Sequence, residues 1–163
     1  MRKKIGWLTL ALVVIGVLAV SSSMSYNQQS LIPLLTRLLP RAPHWLAGVR
    51  FTYAGTVISV NALGFPAFVE FFIRKAAHFT VFAVFALAVT RGLAARTRRG
   101  GWAAVVAVLA ALLVAAGDEF HQSLTAGRSP LIQDVVLDTC GALVGAGLAF
   151  WWWRRARGRG EKR

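Results

Sequence analysis

Apolar residues along this chain gather into four long runs separated by polar connections of very unequal length. The first run, Ile5 to Val20, continues through Met24 to Tyr26 and predicts a helix over about 5–26. The next three predict helices over about 68–89, 102–122 and 130–153, each near the roughly 20 apolar residues that cross a bilayer. Ser129-Pro130 supplies the start of the last one, a serine N-cap with proline at the first helical position. In the connection 27–69, Leu31, Leu34, Leu35, Leu38 and Leu39 recur at helical spacing before Pro40 and predict a short amphipathic helix in the membrane interface. Phe51-Thr52-Tyr53 and Val57-Ile58-Ser59-Val60 flank Gly55 and predict two short extended pieces around a turn.

Charge orients these elements. Three Lys/Arg precede the first run, four lie in 91–101 and six follow Trp153, while the other six are spread over the remaining connections and the mouth of the second helix. By the positive-inside rule both termini and the 91–101 loop are cytoplasmic, and the 27–70 and 121–130 connections face outward. The expectation is one all-α domain over 1–163: a four-helix transmembrane bundle with an extended outward connection between helices 1 and 2 and a cytoplasmic basic tail, 154–163. A net charge of +13 would suit nucleic acid, but the basic residues flank hydrophobic spans instead of striping a soluble domain. They read as topology signals and contacts with anionic lipid, and no nucleic-acid partner is expected.

The N-terminal run also has the outline of a cleavable signal peptide, with small residues near Ala19-Val20-Ser21; its length, at the long end for such a segment, favours an uncleaved helix. The single cysteine, Cys140, lies inside an apolar run, so neither an intrachain disulfide nor a CxxC site is possible.

Candidate chemistry concentrates between Gly117 and Gly145, which carry Asp118, Glu119, His121, Gln122, Arg128, Asp134 and Asp138 at the join of two apolar runs. Ionisable groups so close to a bilayer mark a functional site by default. On helix 3, advancing about 100° per residue, Asp118, Glu119 and Gln122 extend a side that also carries Ala104, Ala107, Ala111 and Ala115, with Trp102, Val106, Leu109 and Leu113 opposite. On helix 4, Asp134 and Asp138 share a side with the GxxxG pair Gly141 and Gly145. Arg74, Lys75 and His78 share a sector of helix 2. Three helices thereby bring polar residues to their outer ends, where they can converge.

Plainer readings exist for each. Arg74 and Lys75 can snorkel to headgroups, Glu70 and Arg74 can be a routine i,i+4 pair, and Asp134 suits a helix N-terminus through the macrodipole. Carboxylates at a helix C-terminus, Asp118 and Glu119, oppose that dipole and need partners. For the whole set the plain alternative is a buried ion-pair network that holds four helices in register, although such networks often contribute little net stability.

Taken together, Arg74-Lys75-Ala76-Ala77-His78-Phe79, Asp118-Glu119-Phe120-His121-Gln122, Gly127-Arg128, Asp134, Asp138 and Gly141 resemble the VanZ-like family of bacterial membrane proteins. Ser21–Ser23, Phe51, Tyr53 and Gly55 add weaker matches, and the resemblance covers about residues 5–150. Where members often carry a tyrosine after the RKxAHF pattern, this chain has Val81-Phe82, which weakens any role for a phenolic hydroxyl there. The resemblance implies a multi-pass protein of the bacterial inner membrane, a place in the cell envelope and a link to resistance against the glycopeptide teicoplanin. It implies no settled reaction and no known cofactor.

Three functions compete. The first is a non-enzymatic envelope protein in which Arg74, Lys75 and Arg128 attract an anionic lipid headgroup, a lipid-linked wall precursor or an anionic partner, with a glycopeptide as a further candidate partner. Ligand-binding candidates are then Arg74, Lys75, His78, Asp118, Glu119, Gln122, Arg128, Asp134 and Asp138. The second is a membrane-embedded enzyme acting on a lipid headgroup or lipid-linked phosphate, with His78 and Glu119 as catalytic base and acid. A metal variant of it would draw on His78, His121, Glu119, Asp134 and Asp138, but the histidines lack an HExxH arrangement and no metal ligand is assigned. The third, movement of a solute, would need polar groups deeper in the bundle than the outer ends supply.

Overall fold

The computed structural model describes residues 2–124 and 131–160, with the side chains of 6–124 and 131–158. In chain order the elements are α1 (Arg2–Ser22), α2 (Tyr26–Gln29), α3 (Ile32–Leu38), a 3-10 turn (His44–Gly48), β1 (Arg50–Tyr53), β2 (Thr56–Ser59), α4 (Val60–Leu63), α5 (Phe65–Thr97), α6 (Gly100–Ser123) and α7 (Ile132–Gly160). Helix α5 is the hub, and α1, α6 and α7 all pack on it. By length and composition α5, α6 and α7 can each cross a membrane, whereas the described apolar part of α1, Gly6–Ser22, is shorter.

Hydropathy located the helices and misjudged their ends. Helix α1 stops at Ser22 instead of continuing to residue 26. Serine hydroxyls compete for helix carbonyls, and Ser23 Oγ bonds the Ala19 carbonyl at 2.8 Å. A fresh turn, α2, follows, its first residue preceded by Ser25, whose amide donates to Gln28 Oε1 at 2.8 Å. Helix α5 is much longer than 68–89. It begins where Gly64, at φ 82, turns the chain and Pro66 occupies the first turn, a pairing of glycine freedom with proline preorganisation. It ends at Arg98, in the left-handed region with φ 56, so the expected 91–101 loop shrinks to a tight turn. At 1.5 Å per residue α5 is about 50 Å long, more than the roughly 30 Å hydrocarbon core requires. Both of its ends therefore carry side chains beyond the hydrocarbon. Helix α7 likewise continues past Trp153 into the basic tail. The Ser129-Pro130 start signal lies outside the described residues.

The two extended pieces form a hairpin, with Arg50 paired to Ser59 and Tyr53 to Thr56. Ala54 and Gly55 both have positive φ, the pattern of a type I′ turn. Alternation turns Phe51 and Tyr53 inward, where their rings lie 6.0 and 5.3 Å from that of Phe71 at the start of α5. This aromatic contact docks the hairpin on the bundle.

Small residues set the helix spacing. Ala103, Ala107, Ala111 and Ala115 of α6 are fully buried, so the packing side runs through Ala103, with Ala104 beside it at partial exposure. Trp102, Leu109 and Leu113 face outward as expected. On α7 a side chain on Gly141 would strike the Phe79 carbonyl, and one on Gly145 would strike that of Ala83. The GxxxG pair thus lets α7 lie backbone to backbone along α5, and the two helices run in the same direction.

Candidate functional site

That seam decides which polar residues meet. Phe79 of α5 touches Gly141 of α7. One residue before Phe79 is His78, and one turn before Gly141 is Asp138, so His78 Nδ1 and Asp138 Oδ2 approach to 3.5 Å. One turn further out, Lys75 Nζ reaches Asp134 Oδ1 at 2.5 Å. The same carboxylate oxygen accepts the Tyr53 hydroxyl at 2.5 Å, and the Lys75 ammonium lies 4.7 Å from the Tyr53 ring centre. Burial, and then the hydrogen bond to Asp134, push the Tyr53 phenol above its ordinary range.

Arg74 turns the other way, toward the end of α1. Its guanidinium lies 3.6 Å from Glu70 and 3.4 Å from Gln29 Oε1, and 5.0 Å from the Tyr26 ring centre. The Glu70–Arg74 pair is more than a routine surface pair. Glu70 is only 1% exposed, and its second oxygen accepts the Ser30 hydroxyl at 3.1 Å.

The acids near the end of α6 find neutral partners. Asp118 accepts the Gln122 side-chain amide at 2.5 Å, and the Asp118 carbonyl takes the Ser22 hydroxyl at 3.4 Å. Glu119 accepts the backbone amide of Leu131 at 2.8 Å and so ties the end of α6 to the start of α7. His121 faces Ser23 at 3.4 Å. Asp138 is fully buried, and one oxygen each of Glu119 and Asp138 makes no hydrogen bond among the described residues.

A cavity of about 480 Å³ opens at this end. Of the residues singled out from sequence, Arg74, Lys75, Gln122 and Asp134 line it, joined by Tyr26, Tyr53 and Glu70. His78, Asp118, Glu119 and Asp138 do not line it, although all four are near enough to Asp134 or to one another for their charges to interact. Arg128 lies outside the described residues. Tyr26 was read as the end of a helix, and Glu70 as half of a routine i,i+4 helix pair. Tyr53 carried only a weak signal, and the direction of its hydroxyl depends on how the hairpin docks.

Chemically, the cavity offers two cations, two carboxylates, an amide and two phenols. The pair needed for acid-base catalysis, His78 with Glu119, lies off its wall. The donor set of the metal variant is dispersed: among the described residues no three His, Cys, Asp or Glu side chains gather to hold one ion.

A family model described as VanZ/LLP1 matches residues 7–153, nearly the whole chain. No curated protein and no solved structure matches.

Proposed function

The chain belongs to the VanZ/LLP1 family and is a membrane protein, and from that premise we propose that it binds an anionic lipid headgroup, or that of a lipid-linked wall precursor, in the cavity around Arg74. In this reading α1 is a fourth span, supported by the burial of Ala11 and Leu18 in the core shared with α5, α6 and α7. Both termini and the turn between α5 and α6 face the cytoplasm of a bacterial cell, and the hairpin end faces outward from the inner membrane. The charge distribution supports this orientation. Arg91, Arg96, Arg98, Arg99, Arg154, Arg155 and Arg157 mark one end, while Glu70, Asp118, Glu119, Asp134 and Asp138 mark the other. A cysteine placed at exposed Thr52 in a Cys140→Ser background should then react with a membrane-impermeant maleimide on intact cells, and labelling only after lysis would reverse the orientation.

The observation that carries the ligand reading is the loose hold on Arg74. Its contacts with Glu70 and Gln29 are 3.6 and 3.4 Å long on the wall of an open cavity. A phosphate oxygen forms shorter, charge-assisted bonds with a guanidinium, often two at once, and can displace such partners. Lys75, locked on Asp134, supplies field and shape. Tolerance to teicoplanin would follow from engaging a headgroup or precursor at the outer surface.

The test uses cells that depend on this protein for survival in teicoplanin. Arg74→Lys should keep part of the protection, because charge remains without the planar fork, and Arg74→Glu should abolish it. Equal protection by both variants would defeat the proposal.

A further inference from the structure

The end of the bundle opposite the cavity holds an arrangement the preceding function does not use. Leu8 of α1 packs directly on Gly92 of α5, where an added Cβ would meet Leu8 Cδ2 at 2.5 Å. That close approach sets Trp7 beside Arg91, each one residue earlier. On the other flank the Trp153 ring of α7 covers Gly100, which brings the preceding indole, Trp152, to the same place. The Arg91 guanidinium consequently sits 5.4 Å from the Trp7 ring centre and 5.6 Å from that of Trp152. Arg155 stands next to it, 5.1 Å from the Trp151 ring. Two grooves share Arg91. One, of about 490 Å³, also has Trp151, Trp152 and Arg155 in its wall; the other, of about 510 Å³, has Trp7 and Leu10.

Among the described residues, these cations have no carboxylate to answer them. All five acidic residues among those described lie at the cavity end, and no ion pair joins Arg91 or Arg155 to any of them. An arginine that merely snorkels needs no aromatic frame, whereas here cation–π contacts fix the guanidinium in one place. Tryptophans of this kind settle at the headgroup layer. Along α5, Arg91 lies 16 residues beyond Lys75, about 24 Å at the helical rise, which places it near the opposite boundary of the hydrocarbon.

We infer that Arg91 and Arg155, framed by Trp7, Trp151 and Trp152, hold the phosphate of an anionic glycerophospholipid. Its acyl chains run along the apolar grooves between α5 and its neighbours. The site stands apart from the cavity around Arg74 and does not depend on the role assigned there.

The experiment is lipid retention by the full-length protein in detergent, read by native mass spectrometry with dioleoylphosphatidylglycerol or dioleoylphosphatidylcholine as the probe. Phosphatidylglycerol should be retained in preference to phosphatidylcholine. Arg91→Gln should lower that retention about fivefold, the factor expected for one basic residue at an anionic surface. Arg155→Gln, at an exposed position near the end of α7, should do the same. Arg96→Gln, at the same end but on neither groove wall, should leave retention unchanged. An equal fall in the Arg96 and Arg91 variants would mean diffuse attraction and overturn the site, as would no preference for phosphatidylglycerol. Displacement of the lipid by millimolar soluble glycerol phosphate would mean that the slot recognises phosphate alone, and the lipid assignment would fall.

Discussion

Lys75 and Asp134 meet at 2.5 Å across the α5–α7 seam, on a carboxylate oxygen that also accepts the Tyr53 hydroxyl. One atom therefore joins two helices and the hairpin. The three-way junction predicts energetic coupling. A double-mutant cycle of Lys75→Met with Asp134→Asn should give an interaction of about 1–3 kcal/mol in unfolding measurements. Tyr53→Phe, which removes one donor and leaves the lysine, should cost about 1 kcal/mol. Purely additive effects would show that the contact is incidental.

The same tyrosine predicts a response to alkali. Its phenol is held above the ordinary value of 10.0, chiefly by burial and then by Asp134. The folded chain then keeps the proton after the unfolded chain has released it. Stability should be intact below about pH 10 and should fall as the pH rises beyond it. Tyr53→Phe should flatten that decline in a comparison of unfolding midpoints across the alkaline range.

Three glycines of α7 predict opposite outcomes. An alanine at position 141 or 145 would push a methyl group into the backbone of Phe79 or Ala83, which cannot swing aside as a side chain could. Gly141→Ala and Gly145→Ala should each destabilise the chain by about 1–3 kcal/mol or more. Gly147 has nothing within 4 Å of its added Cβ, so Gly147→Ala should be neutral or, by helix propensity, stabilising by up to about 1 kcal/mol. Unfolding midpoints of the three variants decide the matter.

His78 and Asp138 predict a rescue. With Asp138 fully buried and its Oδ2 facing His78 Nδ1 at 3.5 Å, His78→Phe removes that partner and should cost about 3–5 kcal/mol. Removing the carboxylate as well, in His78→Phe/Asp138→Leu, should recover most of that loss. If the double variant were worse than the single one, the pair would not be the source of the effect.

Much of this organisation was readable from sequence, for identifiable reasons. The hairpin was legible because Gly55 separates two extended pieces, and the packing face of α7 because GxxxG needs no partner to be recognised. The choice of α5 as that partner was not legible. Helix ends were less so. Hydropathy reports where hydrocarbon would lie, and α5 continues past both boundaries, from Gly64-Phe65-Pro66 to Arg98. The Gly64-Phe65-Pro66 start stands in the sequence, but a count of apolar residues does not register it. For the site, periodicity put Arg74, Lys75 and His78 on one sector of α5 and Asp134 and Asp138 on one side of α7. The pairs Lys75 with Asp134 and His78 with Asp138 emerge only from the way the two helices pack. The i,i+4 spacing offered Glu70 as a partner of Arg74, but it could not reveal Gln29 and Tyr26 beside the guanidinium, because that depends on α1 stopping at its serines. Nor could it separate the residues on the cavity wall from those beneath it, a distinction made by helix depth instead of helix face.

Because α5 and α7 run side by side in one direction with carbonyls set against glycines, their polar pairs share a single vertical alignment. A slip of one turn, about 5.4 Å, would part Lys75 from Asp134 and His78 from Asp138 at once, and would drive side chains into the glycine notches. Sliding is therefore closed to this protein as a way of answering an occupant. A ligand of the proposed site would then be met by exchange of partners among side chains and not by travel of α7 along α5.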